Sequence, residues 1–326
     1  MILNYNGADM LRQFLPSVLK HSPEAEVVVA DNGSTDDSLQ WLRLNYPDVS
    51  VIRLDRNYGF AGGYNRALRK VASEYVLLLN SDVEVTAGWW QPLVEVLDTE
   101  SDVAAVAPKL LADMERTRFE YAGAAGGFID YLGYPFCRGR ILSNVEEDRG
   151  QYDDRRDIFW ASGAAMCCRR EVFESLGGFD EDFFAHMEEI DLQWRMQLAG
   201  WRIVVEPKSV VYHLGGGTLP ASSRKIFLNH RNNLAMLFKC SSPMQRMTVA
   251  VVRPFTDMLE AVAYLVTLHP HKAWAIVRAW GEFIAWHSAL SRKRKAVKRV
   301  KKVENIYRGS IVVRYLLGGR KFKNII

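Results

Sequence analysis

The chain has only four cysteines in 326 residues, Cys137, Cys167, Cys168 and Cys240. Two are adjacent, too close for an ordinary disulfide, and the set lacks zinc-site spacing, which excludes a disulfide-stapled secreted scaffold and a zinc-organised domain. An uninterrupted apolar run of 18 residues is also missing. The best stretch, 249–268, is broken by Arg253, Asp257 and Glu260, so a membrane-spanning helix is not expected. Met1-Ile2-Leu3-Asn4 supplies neither the cationic start nor the apolar core of a secretory signal. These absences predict a cytoplasmic chain in a reducing setting. The Gly-x-Gly-x-x-Gly fingerprint after the first strand is absent too, which argues against a nicotinamide dehydrogenase. A large excess of either charge is absent: 42 Lys/Arg against 38 Asp/Glu leave a net value of +4, yet the first hundred residues hold more acids than bases. Residues 292–302 carry eight Lys/Arg in eleven positions, which puts any cationic partner surface at the C-terminus. A hydrophobic content of 48% over this length excludes general disorder and fits one large domain with an appendage, or two domains.

Up to residue 108, β-rich runs at 26–30, 49–54, 75–79 and 103–107 alternate with helical patterns that begin near Ala8, Asp36, Ala61 and Gly88. Such alternation implies right-handed βαβ crossovers and a mainly parallel sheet. Only Met1, Ile2 and Leu3 precede Asn4-Tyr5-Asn6-Gly7, so the first strand is expected to be short. Residues 109–157 have no clear period and read as an irregular insertion or small hairpin region. Order returns at 158–169. A short helix then ends at Leu176-Gly177-Gly178, and a helix is predicted over 188–199 with Met187, Ile190, Trp194 and Leu198 as its apolar stripe. From Arg224 onward the pattern is helical alone.

The apolar run Tyr75-Val76-Leu77-Leu78-Leu79 ends in Asn80-Ser81-Asp82. Strands buried on both faces read this way, and ligands of open α/β sheets bind beyond the carboxyl ends of such strands. Asp82 is therefore placed for a hard cation, Mg²⁺ or Mn²⁺, held by one or two carboxylates and substrate phosphates. The ordinary alternative is a polar turn. Val27-Val28-Val29-Ala30-Asp31 repeats the pattern and offers Asp31 to a nucleobase or ribose. With Asn4 and Asn6 in the first loop, the two strand-tip acids point to a nucleotide site. Asn57, Gly63 and Asn65 belong to a glycine-rich loop whose backbone can approach phosphate or sugar. Glu188, Glu189 and Asp191 crowd one helix start, where acids complement the dipole. Their mutual repulsion also raises at least one proton affinity, which suits a general base. Adjacent helical residues diverge by about 100°, so Glu188 and Glu189 cannot both aim at one atom. His213 precedes Leu214-Gly215-Gly216-Gly217-Thr218 and is a candidate imidazole ligand beside a segment suited to a closing lid.

Taken together, Ile2-Leu3-Asn4-Tyr5-Asn6-Gly7, Asp31-Asn32-Gly33-Ser34-Thr35-Asp36, the loop from Asn57 to Asn65, Leu78-Leu79-Asn80-Ser81-Asp82, Gly177-Gly178-Phe179-Asp180-Glu181-Asp182, Glu188-Glu189-Ile190-Asp191-Leu192 and His213 resemble the family 2 glycosyltransferases, especially bacterial rhamnosyltransferase-like members. The resemblance covers about residues 1–240. It implies a GT-A type α/β fold with a catalytic domain at 1–223, divided into a donor-binding half (1–108) and an acceptor half (109–223), then a helical region at 224–326. The implied activity is inverting transfer of a sugar, rhamnose by resemblance, from a nucleoside diphosphate donor to a saccharide or lipid-linked acceptor, in cell-surface polysaccharide or glycolipid synthesis. Asp31 would contact the nucleobase, and Asn4, Asn6, Asn57, Gly63, Asn65, Asn80 and Ser81 the rest of the donor. Asp82, Asn80 and His213 would hold the metal. Glu189 stands where the family usually has Asp as catalytic base, with Glu188 and Asp191 as alternates, and Asn80 stands where many members have Asp. A catalytically silent sugar-binding or membrane-scaffold protein of the same fold is the rival reading, and those two departures are its support.

Residues 247–268 and 273–290 combine aromatic and aliphatic faces, with Trp274, Trp280 and Trp286 at six-residue spacing, and the basic cluster follows. That order suits a helix at an anionic membrane surface. The alternative is a hairpin packed on the sheet with a solvated cationic tail. Nucleic acid is not an expected partner, because an acidic cleft repels phosphate that no metal shields. Asn229-His230-Arg231-Asn232-Asn233 is similar to an Arg-Asn motif often found behind the catalytic domain of these enzymes, with no role legible from sequence.

Overall fold

A computed structural model describes residues 1–215 and 222–325. The expected alternation is present as β1 (Ile2–Asn4), α1 (Ala8–His21), β2 (Val28–Asp31), α2 (Ser38–Asn45), β3 (Ser50–Arg53), α3 (Gly59–Leu68), β4 (Tyr75–Asn80), β5 (Val83–Val85), α4 (Gln91–Thr99) and β6 (Val103–Ala112). Short strands follow: β7 (Gly127–Asp130), β8 (Pro135–Cys137), β9 (Arg140–Ile141), β10 (Asn144–Val145) and β11 (Arg156–Asp157). Next come β12 (Ala165–Arg169), α5 (Arg170–Ser175), α6 (Glu188–Leu198) and the long β13 (Arg202–His213). The C-terminal part holds α7 (Ser223–Cys240), α8 (Pro243–Val266), α9 (Pro270–Ala285), α10 (His287–Ala296), β14 (Ile306–Tyr307) and α11 (Ile311–Leu316).

Among the described residues, nine strands form one mixed sheet in the order β11-β13-β6-β12-β4-β1-β2-β3, with β5 paired to β13. β1 to β4 are mutually parallel, while β12 lies antiparallel between β4 and β6. The chain moves outward from β1 through β2 to β3, then crosses to the other side of β1 for β4. That reversal of strand order puts a topological switch point at the carboxyl ends of β1 and β4, the position at which open α/β sheets bind ligands. Helix α1 shows why the layers hold: Leu11, Phe14, Leu15 and Val18 recur at helical spacing and are buried, with Leu11, Leu15 and Val18 in the core cluster that holds the sheet residues Ile2, Val29 and Leu79.

Residues 109–157 contain more order than their sequence pattern predicts. β6 runs on to Ala112, and β7 to β10 build a second, five-stranded sheet in the order β10-β9-β8-β7-β14. Its last strand corrects the expectation of helices alone beyond Arg224, because Ile306 and Tyr307 pair in parallel with Ile129 and Asp130. Two residues carry no periodic signal, so such a strand cannot be read from sequence.

Helix α8 is turned inside out. Its buried face carries Gln245, Val249, Arg253, Asp257 and Ala261 at four-residue intervals. Arg253 Nε donates to Asp257 at 3.0 Å, Arg253 also reaches Asn233 and the Leu132 carbonyl, and Trp280 Nε1 donates to Asp257 at 3.0 Å. A buried ion pair is held only when its remaining groups are bonded, as here. The outward face presents Met247, Val251, Phe255, Leu259, Val262 and Val266, with Phe255 70% and Leu259 69% exposed. No described helix is long and apolar enough to cross a membrane. The three tryptophans do not share one face: Trp274 is exposed, Trp280 bonds Asp257, and Trp286 lies under the Arg231 guanidinium at 4.4 Å. Part of the basic cluster is structural. Arg294 and Arg299 donate to carbonyls of residues 238–241 at the end of α7, and Lys293 pairs with Asp180 and Asp182.

Candidate functional site

Parallel pairing aligns Asn4 with Asp31, and Leu3 with Asn80, at the carboxyl edge of the sheet. Asn4 Nδ2 donates to Asp31 Oδ1 at 3.2 Å and to Ser34 at 3.1 Å, and the Ser34 N–H donates to Asp31 Oδ2. Asn6 adopts a left-handed conformation, with φ 51°, and its side-chain oxygen accepts from the Thr35 N–H at 2.7 Å. These bonds tie the first loop to the loop after β2 and hold Asp31 almost fully buried. Asn57 accepts from Asn32 and from the Gly59 N–H. A methyl group on Gly7 would stand 3.6 Å from Ser81 Oγ, which places Ser81 against the first loop. Two members of the proposed donor set have structural roles. A methyl on Gly63 would meet Leu3 at 2.9 Å and Asn32 at 3.0 Å, so that glycine allows α3 to pack on the sheet. Asn65 uses both ends of its amide on the Phe179 backbone, at 2.9 Å each.

Asp82 is 2% exposed, and neither carboxylate oxygen receives a hydrogen bond. His213 Nε2 stands 3.3 Å from Asp82 Oδ1 in ion-pair range without hydrogen-bond geometry, and its Nδ1 lies 3.4 Å from Glu120. The strands fix this contact: β13 pairs with β5 with His213 opposite Val83, and the Leu214 N–H donates to the Asp82 carbonyl at 3.1 Å. Burial alone would lower the His213 pKa, but Asp82 and Glu120 outweigh it and hold the imidazole up at about 10. A buried carboxylate that receives no hydrogen bond, beside an imidazole, fits a cation site in which the ion displaces the ring proton, since 3.3 Å is close to the spacing of adjacent ligands on a hard ion with bonds of about 2.1 Å. No preformed group of three such ligands occurs among the described residues, so the site is open and needs further oxygens from substrate or water. Asn80 makes its strand contact through its N–H to Ala164, and its side chain is half-buried. Gly216 and Gly217, the core of the expected lid, lie outside the described residues.

At the start of α6, the three acids separate by environment. Asp191 is buried and committed to Arg195 at 2.9 Å and Lys239 at 2.8 Å, so it is not available as a base. Glu188 is buried, and burial, with Glu189 close by, pushes its pKa well above the carboxylate range. Glu189 is half-buried as a residue, yet its Oε2 is shielded and unpartnered, and desolvation raises its pKa to about 7. A carboxylate titrating there is matched to base catalysis near neutral pH. Glu189 also lies at the sheet edge. A methyl on Gly163 would stand 3.9 Å from Glu189 Cβ, and the next residue, Ala164, accepts the Asn80 N–H at 2.9 Å.

The segment that delivers these acids is strained: Phe184, His186 and Met187 have φ of 65°, 71° and 70°. Left-handed backbone at bulky residues persists only when its surroundings over-determine it. The Arg-Asn motif supplies that constraint. Asn232 Nδ2 donates to the carbonyls of Phe183, Ala185 and His186, and Arg231 donates to those of Asp182 and Phe183. Glu120, Arg231, Asn232 and Lys239 are therefore part of the site's architecture and were not identified from sequence as site residues. Glu120 sits in the aperiodic stretch, and only the motif gave a signal for the asparagine.

The glycosyl transferase family 2 model matches residues 1–177. An N-acetylglucosaminyl-diphospho-decaprenol L-rhamnosyltransferase of Mycobacterium tuberculosis is 28% identical over 228 residues, covering 65% of this chain and 74% of that protein. The O-antigen biosynthesis protein RfbC of Myxococcus xanthus is 29% identical over 209 residues, and the match spans 63% of this chain but only 16% of that protein. Among solved structures, GalNAc-T7 with UDP, GalNAc and Mn²⁺ superposes with a TM-score of 0.60 at 19% identity, over 78% of this chain and 49% of that one. The chain belongs to glycosyl transferase family 2 and has the GT-A type fold.

Proposed function

We propose that this glycosyltransferase moves a sugar, with inversion, from a nucleoside diphosphate to a hydroxyl of a lipid-linked saccharide. The single observation that supports this most is the placement of an unpartnered Asp82 carboxylate and a high-pKa Glu189 along one sheet edge. Asp31 would receive the nucleobase, with Asn4, Asn6 and Asn57 shaping its loop, and Asn80 and Ser81 would face the diphosphate. Glu189 would take the acceptor proton. The acceptor oxygen then forms its bond to the anomeric carbon as the bond to the diphosphate breaks, and the nucleoside diphosphate leaves with the electron pair. A divalent ion at Asp82 and His213 would offset charge on that leaving group, an effect worth several kcal/mol. Mn²⁺ in GalNAc-T7 supports the divalent class, with Mg²⁺ as the other candidate. Rhamnose is favoured as the sugar by the mycobacterial rhamnosyltransferase, whose diphospho-decaprenol substrate also supports a diphospholipid acceptor.

In this reading residues 1–108 bind the donor, 109–223 form the acceptor half of the catalytic domain, and 224–326 brace the α6 segment. The outward apolar face of α8 would rest on an anionic membrane surface. The test is nucleoside diphosphate release from a panel of UDP-, dTDP- and GDP-sugars with Mn²⁺. Release from at least one donor, abolished by EDTA, is expected, and the silent-scaffold reading expects none.

A further inference from the structure

A groove of about 580 Å³ lies between α7, α9 and the strained segment ahead of α6. Arg224, Arg278, His271, Trp274, Phe184 and Phe227 line it. The Arg224 guanidinium lies 5.0 Å from the Phe184 ring centre and that of Arg278 lies 4.7 Å from Phe227. Rings in these positions orient a guanidinium and leave its N–H edge for an anion. Neither arginine forms an ion pair with a carboxylate among the described residues, whereas the acid in the wall, Asp182, is paired with Lys293. The groove is therefore cationic, with two arginines available for anionic oxygens.

Its surroundings narrow the occupant. Trp274 is 62% exposed in the second turn of α9, and Val266 at the end of α8 and Leu268 in the turn between the two helices are in solvent, so the groove opens on the side where the outward apolar face of α8 ends. Its inner wall is Phe184, whose carbonyl accepts the N–H of Ala61 in the first turn of α3 at 3.2 Å and which lies four residues ahead of Glu188. One end thus borders the active site and the other borders an apolar surface. A ligand that fits both ends has a sugar, an anionic linker and a long apolar chain. We propose that this groove binds the diphosphate of a prenyl-type lipid acceptor, with Arg224 and Arg278 on the phosphate oxygens and the chain leaving past Trp274 along α8. This rests on the transferase reading for the direction of the sugar, but the binding itself does not.

The test uses the full chain in EDTA, which removes any contribution of a cation at Asp82, and farnesyl diphosphate as probe, followed by Trp fluorescence and calorimetry. Farnesyl diphosphate should bind, while farnesol and inorganic pyrophosphate should bind at least ten-fold more weakly. Arg224→Gln and Arg278→Gln should each weaken the probe by about ten-fold, in line with loss of one charge-assisted contact. Flotation with phosphatidylglycerol vesicles should be unchanged in both variants. Equal binding of farnesyl diphosphate to wild type and to the double variant would overturn the proposal. So would a loss of flotation without a loss of probe binding, which would assign the arginines to bulk phospholipid headgroups, or pyrophosphate binding as tightly as the prenyl probe. Since no readout needs sugar transfer, failure here leaves the transferase reading standing, and failure of that reading appears in donor turnover instead.

Discussion

The side-chain nitrogen of Asn232 lies 2.7 Å from the carbonyl oxygen of His186, two residues ahead of Glu188. That bond joins the C-terminal helices to the backbone that aims the candidate base, and the carbonyls of Phe183 and Ala185 share the same donor. Asn232→Leu keeps volume but takes the Asn232 donor from the Ala185 and His186 carbonyls, while Arg231 still reaches that of Phe183. Loss of a buried donor of this kind costs about 1–3 kcal/mol. The expected result is a lower melting temperature together with a turnover loss of more than ten-fold at unchanged donor KM. A variant that melts early but retains full turnover would show that Asn232 supports stability only.

The two acids at the start of α6 predict opposite pH trends for rate and stability. A base must be deprotonated, so transfer should rise with pH through about 7, the value to which burial lifts Glu189. Stability runs the other way. Because the folded carboxyl keeps its proton above its ordinary value of 4.5, the native state binds more protons than the unfolded chain between 4.5 and about 7. Stability contributed there is present at low pH and lost as pH rises through that window. Glu188 acts with the same sign. His213, held at about 10, loses its contribution only as pH rises above 6.5. Melting curves of wild type and Glu189→Gln between pH 4.5 and 6.5 should therefore diverge, with the variant less dependent on pH.

The proposed cation site has a readout independent of catalysis. Mn²⁺ should raise the melting temperature of the protein, because a ligand that binds only the folded state stabilises it. Asp82→Asn and His213→Ala should each abolish that shift, while Asp191→Asn should keep it even if it lowers the baseline. A full Mn²⁺ shift in both Asp82→Asn and His213→Ala would place the ion elsewhere.

Helix α8 offers a direct test of surface docking. Phe255→Glu with Leu259→Glu changes only exposed positions, so the melting temperature should move by less than about 0.5 kcal/mol equivalent. Flotation with anionic liposomes should fall several-fold. Unchanged flotation would assign that face to another role.

The strands that position the candidate site were legible from their apolar runs. The runs before Asp31 and Asp82 read as buried parallel strands, and β2 and β4 do pair in parallel with β1 and bring their carboxyl ends to one edge. What was not legible depended on partners distant in sequence. Asp191 and Glu189 look alike on one helix turn, yet Lys239 and Arg195 neutralise the first and leave the second unpaired. Asn65 reads as a loop ligand until Phe179, 114 residues away, takes its amide. The apolar positions of α8 read equally well as a core stripe or an outward face, and only the Arg253–Asp257 pair against Asn233 and Trp280 decides which side is buried. Strands of two residues, such as β14, carry too few side chains for any period.

The most direct test of the account is steady-state transfer by Glu189→Gln with a donor that the wild type uses, Mn²⁺ and a diphospholipid acceptor. The account predicts a turnover loss of about 10²- to 10⁴-fold with donor KM nearly unchanged, the usual range for a lost general base. Wild-type turnover in that variant would contradict it.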